Sequence, residues 1–267
     1  MRAIRVIFTA AVVASCTSAG LFAALPAGAA SVNYVALGDS YSSGVGAGNY
    51  ISSGGSCDRS ANAYPEQWSS AHSAAGFNSV ACSGATTSDV LSSQVSALSA
   101  STTLVSITIG GNDAGFASTM ETCVLESTSS CLSSVSAAES FIASTLPGRL
   151  DSTLAAIRSH APDAKVVVLD YPELYDLSKS SSCIGLSTAD RTALNQAADQ
   201  LDQAISTSAA ANGDTFADVR GQFAGHELCD SSEWLHSVNI FDISSSYHPT
   251  ASGQELGYLP VFTSAAG

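Results

Sequence analysis

Ser40 and His248 are the side chains of this 267-residue chain whose surroundings best suit nucleophilic catalysis. Ser40 follows a short apolar run within a Gly-Asp-Ser segment, and a serine that ends a strand and opens a helix exposes its hydroxyl and its backbone N–H together. His248 precedes Pro249, whose fixed φ holds the loop where a general base needs a fixed position. Each signal is weak alone, because serines in Ser-rich loops are mostly turn formers or helix caps.

Two further loops offer hydrogen-bond donors. Gly84 follows a second apolar segment, and Asn112 follows a third within the sequence Gly-Gly-Asn-Asp, whose glycines let the backbone approach a substrate closely. In parallel α/β sheets the reactive groups lie beyond the carboxyl ends of the strands. These loops therefore meet the Ser40 loop only if their strands belong to one parallel sheet.

The apolar patterning predicts such a sheet. Five segments are predicted as strands, at residues 34–37, 78–82, 103–109, 165–170 and 215–219. Helical periodicity predicts helices over 136–160, which Pro147 and Gly148 kink or divide, and over 187–211. Strands that alternate with helices indicate a parallel sheet with helices on both faces. No repeat or linker divides the chain after its first thirty residues, so we expect one domain over 31–267.

Composition excludes one class of partner. The chain has 23 acidic against 9 basic residues, so it lacks the Lys/Arg surface that neutralises phosphates, and we expect no nucleic-acid binding. A hydrophobic content of 45% also argues against a disordered chain.

The first thirty residues have the order of a secretory signal peptide. Arg2 and Arg5 precede an apolar run, and small residues end the segment at Ala30. Cleavage there leaves 7 basic against 23 acidic residues, a net charge of −16, on a secreted, extracellular protein. The segment Val-Ala-Ser-Cys ending at Cys16 offers lipid attachment as an alternative, but the apolar run continues past Cys16.

Six cysteines remain after residue 30, and an even number in an exported chain indicates disulfides. About 15 connectivities are possible for six cysteines. We favour pairs of neighbours in sequence, which are Cys57–Cys82, Cys123–Cys131 and Cys183–Cys229. Zinc sites need closely spaced pairs such as C-x-x-C, which this sequence lacks, so we do not expect zinc. We expect no other metal and no cofactor.

The order of the four motifs carries more information than any one of them. Gly-Asp-Ser near the start of the exported chain, Gly84, Gly-Gly-Asn-Asp and a late His-Pro resemble the SGNH (GDSL) hydrolase family, in particular its secreted actinobacterial lipases, esterases and phospholipases A. The resemblance implies a three-layer α/β/α sandwich with a five-stranded, flavodoxin-like parallel sheet. It also implies disulfides between neighbours in sequence.

The resemblance further implies roles for single residues. Ser40 is the expected nucleophile and His248 its general base, and the backbone N–H groups of Ser40 and Gly84 with the Asn112 amide are the expected oxyanion hole. The family's acid normally stands three residues before the histidine, where this chain has Ser245. A backbone carbonyl, of Ser245 or Ser246, is our first candidate for orienting the imidazole, and Asp242 is the second.

The function expected from this resemblance is a secreted serine ester hydrolase acting on lipid or other carboxylic esters. Phospholipase A and polysaccharide deacetylase activity remain open, as does a non-catalytic secreted binding module, although a binding module has no reason to keep all four motifs. The expected partner is a small-molecule or lipid ester, met by a monomer in transient contact with a lipid surface.

Overall fold

Five strands form one parallel sheet in the computed structural model, which describes residues 31–179, 183, 185–239 and 242–267. The predicted signal peptide, with Cys16, lies outside the described residues. The strand order is 2-1-3-4-5, so the order reverses between the first and third strands. The predicted flavodoxin-like α/β sheet is confirmed. The strands are β1 (Asn33–Gly38), β2 (Gly76–Ser79), β3 (Leu104–Thr108), β4 (Lys165–Leu169) and β5 (Thr215–Ala217).

The central strands are buried on both faces. Every residue of β3 is buried, as is every residue of β4 after Lys165. Continuous runs of β-branched and aliphatic residues are what a strand covered on both faces requires. This is why both strands were predictable from short stretches of sequence.

The second strand begins two residues before its predicted start and ends three residues before its predicted end. It pairs with β1 from Gly76 to Ser79, at the edge of the sheet. The chain nevertheless continues alongside β1, because the Cys82 N–H donates to the Gly38 carbonyl at 3.0 Å. The edge position explains why the hydrophobic pattern of β2 is weak, since only one flank of this strand is paired.

The helical segment predicted over 136–160 is two helices. Thr145 separates them, and Pro147 lies in the first turn of the second helix, where its missing N–H leaves no hydrogen bond unmade. The α-helices are α1 (Ser40–Ser43), α2 (Tyr64–Ala71), α3 (Thr87–Asp89), α4 (Phe116–Leu125), α5 (Thr128–Ser144), α6 (Leu146–His160), α7 (Thr188–Ala211), α8 (Arg220–Phe223) and α9 (Leu259–Ala266).

Two groups of helices sandwich the sheet. Helices α5, α6 and α7 pack on one another and α7 contacts β4 and β5, whereas α2 packs on α9, which also contacts β4 and β5. No helix in the described ranges is long and apolar enough to cross a membrane. Three disulfides join Cys57 to Cys82, Cys123 to Cys131 and Cys183 to Cys229.

Candidate active site

Ser40 lies where β1 ends and the short helix α1 begins. The Asp39 side chain caps that helix by accepting a hydrogen bond from the Tyr41 N–H at 3.0 Å. Gly38 precedes it with φ +121°, and a Cβ there would stand 2.5 Å from the Thr108 carbonyl oxygen, so only glycine lets β1 turn this close to β3. The sharp turn presents Ser40 at the carboxyl edge of the sheet, beside the point where the strand order reverses.

His248 reaches Ser40 from the C-terminal part of the chain. Its Nε2 atom lies 2.7 Å from the Ser40 Oγ, and its Nδ1 atom lies 3.0 Å from the Ser246 carbonyl oxygen. The backbone N–H of His248 donates to the Ser245 carbonyl at 3.1 Å. A hydrogen bond from Nδ1–H to a carbonyl leaves Nε2 unprotonated, ready to accept the serine proton.

Burial is the main reason why the pKa of His248 is lowered, from its ordinary value to about 4. His236 adds a smaller lowering effect, and the Ser246 carbonyl opposes both. The imidazole is therefore neutral near pH 7, which is the state that a general base requires.

Three residues that line one groove at the Ser40 hydroxyl each carry a hydrogen-bond donor, namely Ser40, Gly84 and Asn112. Within the described residues, the backbone N–H groups of Ser40 and Gly84 have no hydrogen-bond partner. The Asn112 amide donates one hydrogen to the Ala85 carbonyl at 2.9 Å, which orients the amide and leaves its second hydrogen available. Gly84 has φ +77°. This arrangement can bind an oxyanion.

Asp39 and Tyr171 form a buried pair next to Ser40. The Tyr171 hydroxyl donates to Asp39 Oδ2 and accepts from the Gly111 N–H, so it links the loop after β1 with the loop after β3. Burial raises the pKa of Asp39 to about 6, against the lowering effect of its bonds from Tyr171 and Thr108. Tyr171 was not predicted as a site residue, because its only local signal in the sequence is its position after β4.

Two cavities meet at Ser40. The inner cavity extends between α4, α5 and α7, with Ile142, Leu194 and Leu201 among its walls. The outer groove contains His248 and Gly84. Ser40, Asn112 and Phe116 line both spaces, so a substrate bound at the serine can occupy the two together.

Comparison with known proteins identifies the family. The model of the GDSL-like lipase/acylhydrolase family matches residues 36–256, which include Ser40, Gly84, Asn112 and His248. The chain belongs to this family. As a GDSL-like acylhydrolase it is an ester hydrolase, as the sequence resemblance predicted.

Close relatives of this acylhydrolase come from Streptomyces. It is 60% identical over 238 residues to Lipase 1 of Streptomyces coelicolor, an alignment that covers 89% of this chain and 88% of the relative. The crystal structure of phospholipase A1 from Streptomyces albidoflavus NA297 superposes with a TM-score of 0.87 at 55% identity, over 89% of this chain and all of that one. The extracellular lipase of Streptomyces rimosus superposes at 0.85 with 54% identity, over 88% of this chain and all of its own.

In this acylhydrolase the second candidate for orienting the histidine points elsewhere. The Asp242 carboxylate is exposed and accepts a hydrogen bond from the Ser244 hydroxyl at 2.7 Å. The Ser246 carbonyl is the group that faces Nδ1 of His248. The fold therefore brings Ser40, Gly84, Asn112, His248 and both candidate carbonyls together, and it leaves the Asp242 side chain outside that set.

Proposed function

We propose that this acylhydrolase cleaves carboxylic esters of lipids through an acyl-enzyme on Ser40. His248 removes the hydroxyl proton as Oγ attacks the ester carbonyl, and the imidazolium then protonates the departing alcohol. Water attacks the acyl-enzyme by the same route and releases the fatty acid. The observation that carries the proposal is the 2.7 Å contact between Ser40 Oγ and a neutral His248 Nε2.

The oxyanion hole in this proposal consists of the Ser40 and Gly84 N–H groups and the Asn112 amide. All three have a hydrogen to offer without breaking an existing bond, so binding the negative charge costs none of the hydrogen bonds of the free enzyme. The imidazolium that forms is supported by the Ser246 carbonyl rather than by a carboxylate.

The preferred substrate in this proposal is a neutral ester lipid. Among the described residues, those that line the outer groove include Glu121 and neither lysine nor arginine, so an anionic headgroup would find no cation among them. The excess of acidic residues also repels anionic lipid surfaces, more strongly at low salt. Phospholipase A activity is the second candidate, favoured by the similarity to the Streptomyces albidoflavus phospholipase A1.

We further infer that the exported chain, 31–267, works outside the cell as a monomer that touches lipid surfaces transiently. Three disulfides and the likeness to an extracellular lipase support the location. Leu125 and Ile243 support the lipid contact, because they are 72% and 70% exposed and both line the outer groove. Leu125→Asn/Ile243→Asn is then expected to weaken adsorption to neutral vesicles while a soluble ester is still hydrolysed.

A fluorophosphonate probe tests the central proposal. The wild-type protein should be labelled covalently, and Ser40→Ala should not; labelling that survives in Ser40→Ala contradicts the assigned nucleophile. Hydrolysis of triolein, phosphatidylcholine and phosphatidylglycerol at two salt concentrations then ranks the substrates. We expect triolein first and phosphatidylglycerol last, with the gap widening as salt is removed.

A further inference from the structure

We propose that the inner cavity holds the acyl chain and the outer groove holds the alcohol part of the ester, so that the enzyme selects unbranched acyl chains on bulky alcohols. This inference rests on the proposed function, because it assigns Ser40 and His248 their catalytic roles. It concerns which of the two spaces at the serine receives which half of the substrate.

The direction of proton transfer orients the substrate. In the tetrahedral intermediate the former carbonyl carbon carries Ser40 Oγ, the oxyanion, the alcohol oxygen and the acyl chain. When the intermediate collapses, the bond between carbon and alcohol oxygen breaks, and the proton that His248 took from Ser40 passes to that oxygen. The alcohol oxygen must therefore lie within about 3 Å of His248 Nε2.

Only one of the two spaces meets this condition. His248 lines the outer groove, together with Gly84 of the oxyanion hole, and it is absent from the lining of the inner cavity. The alcohol oxygen then lies on the His248 side of the reactive carbon and the oxyanion lies at Gly84. The acyl chain is the remaining substituent, and it extends from the reactive carbon in the other direction. That direction is the inner cavity, which begins at Ser40 and Asn112.

The lining of the inner cavity suits a hydrocarbon chain. Its walls beyond the serine are mainly aliphatic and alanine side chains from α5 and α7 and from the segment after β4, among them Ala138, Ile142, Leu174, Leu194, Ala198 and Leu201. The polar groups at its edge are already bonded: Asp39 accepts from Tyr41, Thr108 and Tyr171, and the Thr119 hydroxyl accepts from Ser134. An alkyl chain therefore enters without leaving a polar group unpaired.

The two spaces also differ in size. The inner cavity has a volume of about 70 Å³, against about 490 Å³ for the outer groove. The smaller cavity leaves less room for a branched or aromatic acyl group than for an unbranched chain, whereas the groove has room for a glycerol that carries further substituents. The same geometry predicts poor turnover of branched and aromatic acyl groups and tolerance of bulk in the alcohol.

Ala198 and Ala117 allow the two assignments to be tested separately. Ala198 is half-buried on α7 and lines only the inner cavity, whereas Ala117 is exposed on α4 and lines only the outer groove. Ala210, exposed on α7 and outside both linings, is the matched control. Each alanine is replaced by tryptophan, and the ratio of kcat/KM for dodecanoyl to butanoyl p-nitrophenyl esters is measured.

We expect Ala198→Trp to lower this ratio by about fourfold for each methylene that no longer enters the cavity, and so by tenfold or more over the series. Ala117→Trp should leave the ratio as in wild type but lower the rate on trioctanoylglycerol relative to methyl octanoate. Ala210→Trp should match wild type in both measurements. If Ala198→Trp does not fold, Ala138→Leu on α5 narrows the same cavity and carries the same expectation.

The reverse pattern would overturn the assignment. If Ala117→Trp shifts the acyl-chain ratio and Ala198→Trp shifts only the alcohol preference, the chain runs in the outer groove. An unchanged acyl-chain ratio in both Ala198→Trp and Ala138→Leu, with both proteins folded, also contradicts it. Failure of the proposed function itself looks different, because wild type would then hydrolyse none of these esters and would not react with the fluorophosphonate probe.

Discussion

The carbonyl oxygen of Ser246 lies 3.0 Å from Nδ1 of His248, in the position that a carboxylate occupies in a serine–histidine–acid triad. A carbonyl can fix the tautomer and the orientation of the imidazole, as a carboxylate does, but it brings no negative charge. In the proposed mechanism the imidazolium of His248 is therefore stabilised less than beside a carboxylate, and the imidazole of the free enzyme is easier to keep neutral. The lowered pKa of His248 agrees with this, since burial lowers it more than the hydrogen bond to Ser246 raises it.

Replacing Asp242 tests whether a carboxylate is needed. Its side chain is exposed and bonded to Ser244, so Asp242→Asn should change kcat/KM by less than about fivefold, the range of a solvent-exposed charge. Ser40→Ala, measured in parallel, sets the level of an inactive protein. Loss of nearly all turnover in folded Asp242→Asn would make Asp242 the third catalytic member instead of the Ser246 carbonyl.

Asn112 is expected to matter only when negative charge develops on the substrate. Asn112→Ala removes one of the three proposed oxyanion donors, and the loss of such a donor typically lowers kcat by about a hundredfold to a thousandfold, with little effect on KM. The side chain also donates to the Ala85 carbonyl, so thermal unfolding must be recorded to separate catalysis from stability. A rise in KM with kcat unchanged would place Asn112 in substrate binding and not in the oxyanion hole.

The pH dependence of kcat/KM should reflect the lowered pKa of His248. Protonation of the imidazole abolishes the general base, so activity falls as the pH drops through the pKa of the free enzyme. With that pKa at about 4, the acid limb should lie well below the ordinary histidine value. A midpoint at or above the ordinary value would contradict the effect of burial, provided that activity returns when acid-treated enzyme is restored to neutral pH.

The parts of this fold that sequence predicts are those that local pattern determines. Helix α7 begins one residue after Ser187, whose side chain forms a capping box with Asp190, and this start is within one residue of the prediction. Helix α5 begins eight residues before its predicted start, since its cap, Ser127, stands in a serine-rich run where no single serine is distinctive. The predicted bounds of β2 were wrong for a similar reason, because they depend on the pairing of this strand with β1 and not on its own residues.

The residues of the candidate site also differ in how far the sequence predicts them. Ser40, Gly84, Asn112 and His248 stand in recognisable motifs, so the sequence could name them, and the resemblance could suggest a backbone carbonyl beside the histidine. Tyr171 and the inner cavity stand in no motif. They depend on how α5 packs against α7 and how the end of β4 meets β1, and those distances exist only once the chain has folded.

Tyr171 is expected to stabilise the loops after β1 and β3, next to Ser40. Tyr171→Phe removes a donor from buried Asp39 and the acceptor of the Gly111 N–H, a change that should cost about 1 to 3 kcal/mol in the free energy of unfolding. Tyr175→Phe is a matched control, because that buried tyrosine bonds a neutral hydroxyl, on Tyr247, at 3.2 Å. Urea denaturation measures both, and equal losses in the two variants would contradict a special role for the Asp39 bond.

Asp170 should make the enzyme less stable in alkali. It and Asp202 are both buried, with Arg220 Nε 3.7 Å from a carboxylate oxygen of each. Burial raises the pKa of Asp170 to about 8 and that of Asp202 well above its usual range. A group whose folded pKa is raised stabilises the protein fully below its unfolded pKa, and this contribution is lost as the pH rises through the folded value.

The substitution Asp170→Asn tests this dependence, because the asparagine can still accept the bond that the Val219 N–H donates at 2.8 Å but cannot ionise. Between pH 6 and pH 8 the free energy of unfolding of wild type should fall more steeply than that of Asp170→Asn, by up to about 1.4 kcal/mol per pH unit. Asp199→Asn removes an exposed carboxylate from the same arginine and should keep the wild-type slope. Urea denaturation at each pH measures the slopes, and parallel curves for wild type and Asp170→Asn would show that Asp170 is already ionised at pH 6.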